Sequence, residues 1–137
     1  MKYVYPAVFT REEGKTLVSV PDMKGCHTFG ENLAEAIEMA QDAVSMVLYH
    51  MEKDGVDIPA PSSLEDAMQK YCDAYDEQGE FANFVYADTD EYRRQHDSRA
   101  VNKTVTLLAW LNYQAEQANA PFSKILQDGL NEFLRAA

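Results

Sequence analysis

Asn102, Thr104 and Thr106 place short polar side chains at every second position. A period of two sets them on one face of a strand, with Lys103, Val105 and Leu107 on the other. Amides and hydroxyls both donate and accept hydrogen bonds, which is the capability that reading base edges in a DNA groove requires. Two helical segments follow. From about Ala109 to Asn119, the residues Leu108, Leu111, Ala115 and Ala118 line one face. Ala120-Pro121 breaks that helix and restarts another, with proline tolerated at the first helical position. There Phe122, Ile125, Leu126, Leu130, Phe133 and Leu134 recur at helical spacing. The start of this second helix presents free backbone N–H groups at Phe122, Ser123 and Lys124, and such an end binds phosphate.

One strand and two short helices cannot bury their own apolar residues. The lone strand also leaves a hydrogen-bonding edge unpaired. Two copies paired strand to strand solve both problems, giving an antiparallel ribbon over four helices, the size that enters a major groove. A homodimer is therefore expected, with oligomers above the dimer left open.

Carboxylates carry the other candidate chemistry. The 137 residues hold 23 Asp and Glu against 12 Lys and Arg, a net charge of -11. Asp22, Glu31, Asp88 and Asp90 are the candidates for a two-metal nuclease site. Acidic surface residues are common in a chain this charged, so the reading favours ordinary acids, with no catalysis, metal or cofactor. His27, His50 and His96 lack ligand spacing, and Cys26 beside His27 is only a sequential neighbour. Cys26 and Cys72 do not form a disulfide framework and read as packing residues.

The charge is uneven. Residues 1–98 carry 8 Lys and Arg against 20 Asp and Glu, a net of -12, whereas residues 99–137 carry 4 against 3, a net of +1. Two parts with different partners are expected: a domain over 1–90, a linker over 91–100 within the polar stretch Asp88 to Val101, and a tail over 101–137. Composition is globular, with 46% hydrophobic and 26% charged residues. No apolar run reaches the roughly 18 residues of a membrane span. Tyr3-Val4-Tyr5-Pro6 is too short for a signal h-region, so a cytoplasmic location is expected.

In the first part, Val4 to Phe9 and Thr16 to Val20 read as hairpin strands around Glu12-Glu13-Gly14-Lys15. Gly25 to Phe29 reads as a third strand. Asn32 caps a long helix whose apolar face is Leu33, Ile37, Ala40, Val44, Val47, Leu48 and Met51. Glu31, Glu35, Glu38 and Asp42 share its solvated side, and Gly55 ends it. After Ile58-Pro59-Ala60-Pro61, Ser62 or Ser63 caps a second helix, with Glu65 or Asp66 as reciprocal partner, an apolar side of Leu64, Met68, Tyr71, Cys72 and Tyr75, and closure at Gly79. Phe81 to Ala87 is a fourth strand. The class is α+β, a sheet with a long helix packed on one face.

Two family resemblances join these readings. Thr104-Val105-Thr106-Leu107, Trp110-Leu111, Ala115, and Phe122-Ser123 through Ile125-Leu126-Gln127 to Gly129-Leu130 resemble a ribbon-helix-helix DNA-binding domain. Tyr5-Pro6-Ala7-Val8, Val20-Pro21-Asp22, Gly25-Cys26, Thr28, Gly30, Glu35-Ala36 and Ile58-Pro59-Ala60-Pro61-Ser62 resemble the HicB antitoxin family, and so does the order of core and tail. That resemblance implies a partial RNase H-like fold, a small basic HicA-type toxin that cleaves mRNA as partner, and repression of its own operon by the tail. By position it implies base reading by Asn102, Thr104 and Thr106 and phosphate contacts at Phe122, Ser123 and Lys124. DNA-reading ribbons often carry Arg or Lys on the outward face. Here Lys103 falls inward by alternation, which shifts phosphate attraction onto Arg99, Lys124 and the arm Arg93-Arg94. The carboxylates Glu31, Glu35, Glu38 and Asp42 are the candidate toxin contacts, since an acidic surface steers toward a basic nuclease. The alternative reading is a stand-alone regulator with a sensing N-terminal domain, and the third is a residual nuclease.

Overall fold

The apolar run Tyr5-Pro6-Ala7-Val8-Phe9 is buried throughout and forms the middle of β1 (Lys2–Glu12). A strand that is apolar at consecutive positions needs cover on both faces. β1 is also paired along both edges: to β2 (Lys15–Ser19) on one side and β4 (Phe81–Asp88) on the other, both antiparallel. β3 (His27–Gly30) pairs with β2, so the sheet runs β3-β2-β1-β4. The computed structural model describes all 137 residues in two units, Met1–Ser98 and Arg99–Ala137.

The β1–β2 hairpin turns at Glu13 (φ 52°) and Gly14 (φ 80°), two consecutive left-handed residues that match the twist of the strands. Pro6 is tolerated in a central strand because β2 stops at Ser19, opposite Val8, so no ladder bond is asked of Pro6 on that side.

Side-chain alternation divides the cover. Tyr5, Ala7, Phe9, Val18, Val85 and Ala87 pack with Ala36, Ala40, Val44 and Leu48 of α1 (Leu33–Asp54). On the other face lie Val8 and Thr10. Thr10 Oγ1 donates to the Tyr71 hydroxyl of α2 (Leu64–Tyr75) at 3.4 Å. Helices therefore pack on both faces of the sheet, where the sequence suggested a helix on one. Gly79, expected to close α2, instead sits where an added Cβ would collide with Val8 and Met68; α2 is closed by Asp76 in the left-handed region.

α1 begins at Asn32, whose side chain accepts from Glu35 N at 2.9 Å, while Glu35 Oε2 accepts from Glu31 N at 3.2 Å. It ends at Gly55 (φ 68°), with Gly55 N bonded to Glu52 O and Val56 N to Met51 O. Its buried stripe is Ala36, Ala40, Val44 and Leu48. Leu33 and Ile37, expected on the apolar face, remain 46% and 38% exposed. The alanines let the helix approach the end of β3 so closely that a Cβ on Gly30 would strike the Ala36 backbone, which turns the buried stripe away from Leu33 and Ile37.

The α1–α2 connector is pinned by two buried groups. The Tyr5 hydroxyl donates to the Pro59 carbonyl. Asp22, only 1% exposed at its side chain, accepts from Ser62 N at 2.8 Å, Ser62 Oγ at 2.6 Å and Lys70 Nζ at 2.8 Å. Ser63 is then free to cap α2, accepting from Asp66 N at 3.1 Å.

The stretch 91–100, expected to be a linker, holds most of a helix, α3 (Thr89–His96). Asp88 caps it by accepting from Asp90 N at 3.0 Å. Thr89 Oγ1 and the Tyr3 hydroxyl both donate to Glu52 Oε2 of α1, at 3.0 Å and 2.9 Å. Tyr92 packs on Tyr49 with ring centroids 5.4 Å apart. Few apolar residues mark this helix, and its anchoring comes from these polar and aromatic contacts.

The second unit holds α4 (Ala109–Gln117) and α5 (Phe122–Ala136), with Pro121 at the cap position rather than the first helical one. Asn102–Leu107, expected as a strand, makes no ladder within one chain. No helix of the chain is long and apolar enough to cross a membrane.

Asp22 gives a test of the pinned connector. Burial works against its charged form, but the Lys70 ammonium and the two Ser62 bonds outweigh that and hold the carboxyl below its ordinary 3.8. A lowered folded value means the stabilisation is complete above the unfolded value and is lost as pH falls below it. Asp22→Asn is expected to cost about 1–3 kcal/mol in urea unfolding at neutral pH, and to shrink the difference from wild type below pH 3.8. An equal gap at both pH values would refute this account.

Candidate interaction surfaces

In the second unit no residue from Arg99 to Ala137 is buried. Phe122, Ile125, Leu126, Leu130, Phe133 and Leu134 of α5 all stand exposed, as do Trp110 and Tyr113 of α4. Both helices are formed, yet their apolar faces are uncovered in the single chain. Asn102, Thr104 and Thr106 are exposed and lie on the segment before α4. The first bond inside α5 runs from Ile125 N to Pro121 O, and no side chain caps that end. The N–H groups of Phe122, Ser123 and Lys124 thus precede the first helical bond, as expected. The Lys124 ammonium is paired with Asp128 at 2.7 Å, so its charge is partly committed.

The four carboxylates expected on one helix side divide between two places. Glu31 and Glu35 serve the start of α1, and Glu31 lines a groove with Arg11, Leu33 and Glu80. Glu38 and Asp42 line a separate groove with Asp88, Glu91 and Tyr92, between α1, β4 and α3. This second groove follows the outer side of β4. Beyond it, Phe84, Tyr86 and Val4 are exposed on the sheet face that also carries α2. Phe84 and Tyr86 were not among the candidates from the sequence, which placed Phe81 to Ala87 only as a fourth strand. Their signal was Phe81-Ala82-Asn83-Phe84-Val85-Tyr86, apolar on both faces in a strand with one neighbour.

The acids weighed as a nuclease site have separate duties. Asp22 holds Ser62 and Lys70, Asp88 caps α3, Asp90 pairs with Arg93 at 3.1 Å, and Glu31 lies at the start of α1. No group of three or more His, Cys, Asp or Glu is arranged to hold a metal ion. His27 bridges Ser19 Oγ at 3.2 Å and the Tyr75 hydroxyl at 2.8 Å, tying β3 to α2. His96 stacks on Tyr92 at 4.0 Å, and His50 packs against Tyr49. Cys26 is buried, which pushes its thiol pKa up; Cys72 is half-buried, and both are free.

A family model for the HicB-like antitoxin of bacterial toxin-antitoxin systems matches residues 5–129, across both units. The chain belongs to the HicB-like antitoxin family. A curated protein of Haemophilus phage HP1, the uncharacterized 14.9 kDa protein of the rep-hol intergenic region, is 26% identical over 114 residues, covering 83% of this chain and 80% of that protein. Among solved structures, this HicB-like chain is similar to one from a toxin-antitoxin complex of Streptococcus pneumoniae, at TM-score 0.62 and 21% identity, over 96% of this chain and 99% of that one. It is also similar to a chain of the HicA3 and HicB3 toxin-antitoxin complex, at TM-score 0.50 and 19% identity, over 63% of this chain and 99% of that one.

Glu52 is the joint between α1, β1 and α3, and burial together with its carboxylate pushes the Tyr3 hydroxyl up to about 12. Glu52→Ala is expected to free α3, exposing the bonds after Arg93 and Arg94 to trypsin and speeding cleavage about ten-fold, as local opening governs such cuts. Unchanged cleavage would show that α3 is held by other contacts.

Proposed function

We propose that the chain neutralises a HicA-type, small basic mRNA-cleaving toxin and represses its own operon through a dimeric ribbon-helix-helix tail. Family membership across both units carries the reading. The HicA3–HicB3 complex among similar structures supports a toxin partner of that type. In this reading the N-terminal unit is a partial RNase H-like fold without catalysis, since it begins with three antiparallel strands, a long helix and a further strand. Its net charge of -12 draws a basic toxin, with Glu31, Glu35, Glu38 and Asp42 as contacts.

For the tail, the supporting fact is the wholly exposed apolar set on α5. Pairing of two chains through Asn102–Leu107 would supply the missing ladder and cover those residues together. Asn102, Thr104 and Thr106 then face the base edges, and the uncapped N–H groups at Phe122, Ser123 and Lys124 take flanking phosphates. A tail charge of +1 makes phosphate attraction weak, so the dimer must present two sets at once.

Thr104→Ala with Thr106→Ala is expected to weaken binding to the chain's own promoter DNA about ten-fold or more, since a good base contact contributes about 1–3 kcal/mol. Toxin binding should not change. Equal gel-shift affinity for variant and wild type would remove the ribbon assignment. Leu130→Asp should give a monomer in sedimentation and abolish operator binding; a dimer that persists would place the self-contact elsewhere. A small basic toxin is expected to be encoded beside this gene; co-expressing this chain with it should restore growth, and failure to do so would end the antitoxin reading.

A further inference from the structure

We propose that the open edge of β4 receives a cationic β-strand from a partner protein, its apolar side chains on Phe84 and Tyr86 and its Lys or Arg side chains over Glu38 and Asp42. The identity of that partner rests on the toxin reading above; the shape of the site does not.

β4 has one neighbour, β1, and nothing pairs with its other edge. Thr89 N donates to Met1 O at 3.0 Å, just past the strand, which marks that pair as hydrogen-bonded. The two-residue alternation of an antiparallel ladder then turns the backbone groups of Phe81, Asn83, Val85 and Ala87 toward β1 and those of Ala82, Phe84 and Tyr86 outward. The Phe84 N–H agrees: it donates to Asn83 Oδ1 at 2.8 Å instead of to β1. Exposed edges are commonly protected by proline, lysine or a bulge. This eight-residue strand contains neither proline nor lysine, and the Asn83 amide guards only one of its donors.

The two sides of the edge differ in chemistry. On the α2 side Phe84 and Tyr86 are 50% and 44% exposed, with Val4 of β1 opposite Tyr86. On the α1 side lies the groove holding Glu38 and Asp42. The nearby cations are already engaged: Arg93 with Asp90 at 3.1 Å and Arg94 with Glu91 at 2.9 Å. Side chains of a strand added to β4 would alternate between these sides. One set meets aromatic surface and the other meets carboxylates, so the fitting strand alternates apolar and cationic residues. A second copy of this chain fits poorly, because each first unit carries a net charge of -12.

The test uses the full chain with two probes: the HicA-type protein and a synthetic peptide of alternating lysine and valine. Amide exchange at Ala82, Phe84 and Tyr86 should slow when either is bound. Phe84→Lys with Tyr86→Lys, and separately Glu38→Lys with Asp42→Lys, should each weaken binding about ten-fold or more with unchanged melting, as loss of a central contact does. Asp57→Lys with Asp73→Lys, an equal change of charge elsewhere, should alter affinity by about two-fold at most, as distant surface charges do. If the HicA-type protein fails to bind while the peptide protects β4, the toxin reading falls and the edge site stands. If the HicA-type protein binds and the β4 amides stay unprotected, the edge site falls and the toxin reading stands. Peptide shifts spread evenly over the acidic surface, or β4 protected by self-association before any probe is added, would also overturn the proposal.

Discussion

Covering β1 is the constraint on which the first unit depends. Its middle is apolar at five consecutive positions, so neither face can meet water. One face takes the small-residue stripe of α1, Ala36, Ala40, Val44 and Leu48. The other needs α2, which must travel around the sheet to reach it. That journey explains the extended connector and the two buried groups that hold it, the Tyr5 hydroxyl and the Asp22 carboxylate. An acid in such a place is stable only when its charge is met, and Lys70 with Ser62 meets it. One of the four carboxylates weighed as metal ligands is thus a fastener between a loop and a helix.

Much of this was legible from residue types. Asn32, Gly55 and Ser63 announced helix ends because few residues satisfy orphan backbone groups or tolerate the left-handed region. The Glu13-Gly14 turn marked the break between the first two strands for a similar reason. What failed needed knowledge of distance. Leu33 and Ile37 fit an apolar period, but alanine spacing and the close approach at Gly30 decided which stripe is buried. α3 was passed over because its hold on the unit comes from Thr89, Tyr92 and Asp88, and hydrophobic periodicity says nothing of these. The exposure of Phe84 and Tyr86 depends on where α2 stops across the sheet, which local sequence does not specify. Of the candidate site residues, Phe122, Ser123 and Lys124 were placed at the start of α5 from the Ala120-Pro121 break, whereas the division of the α1 carboxylates between two grooves depends on the tertiary structure.

The two units differ in how complete they are. The first closes a core from its own residues and concentrates negative charge on its surface. The second forms helices but buries none of its residues in the single chain. A chain built this way divides its chemistry: an acidic first unit, and an almost neutral second unit whose apolar side chains stand exposed.

The pairing of β1 with β4 has a consequence in time. Lys2 stands opposite Asp88, so the central strand, although made first, gains its second neighbour only when the far end of the unit has been synthesised. The β1–β2 hairpin and α1 are local and can form early, whereas joining β4 closes a loop of nearly the whole unit and must await it. During translation the chain therefore passes through a stage in which the β4 side of β1 is bare and α3 has nothing to anchor on. The surface beside β4 comes into being last, as a single late event, and any partner that reads it is also reading whether the unit has finished folding.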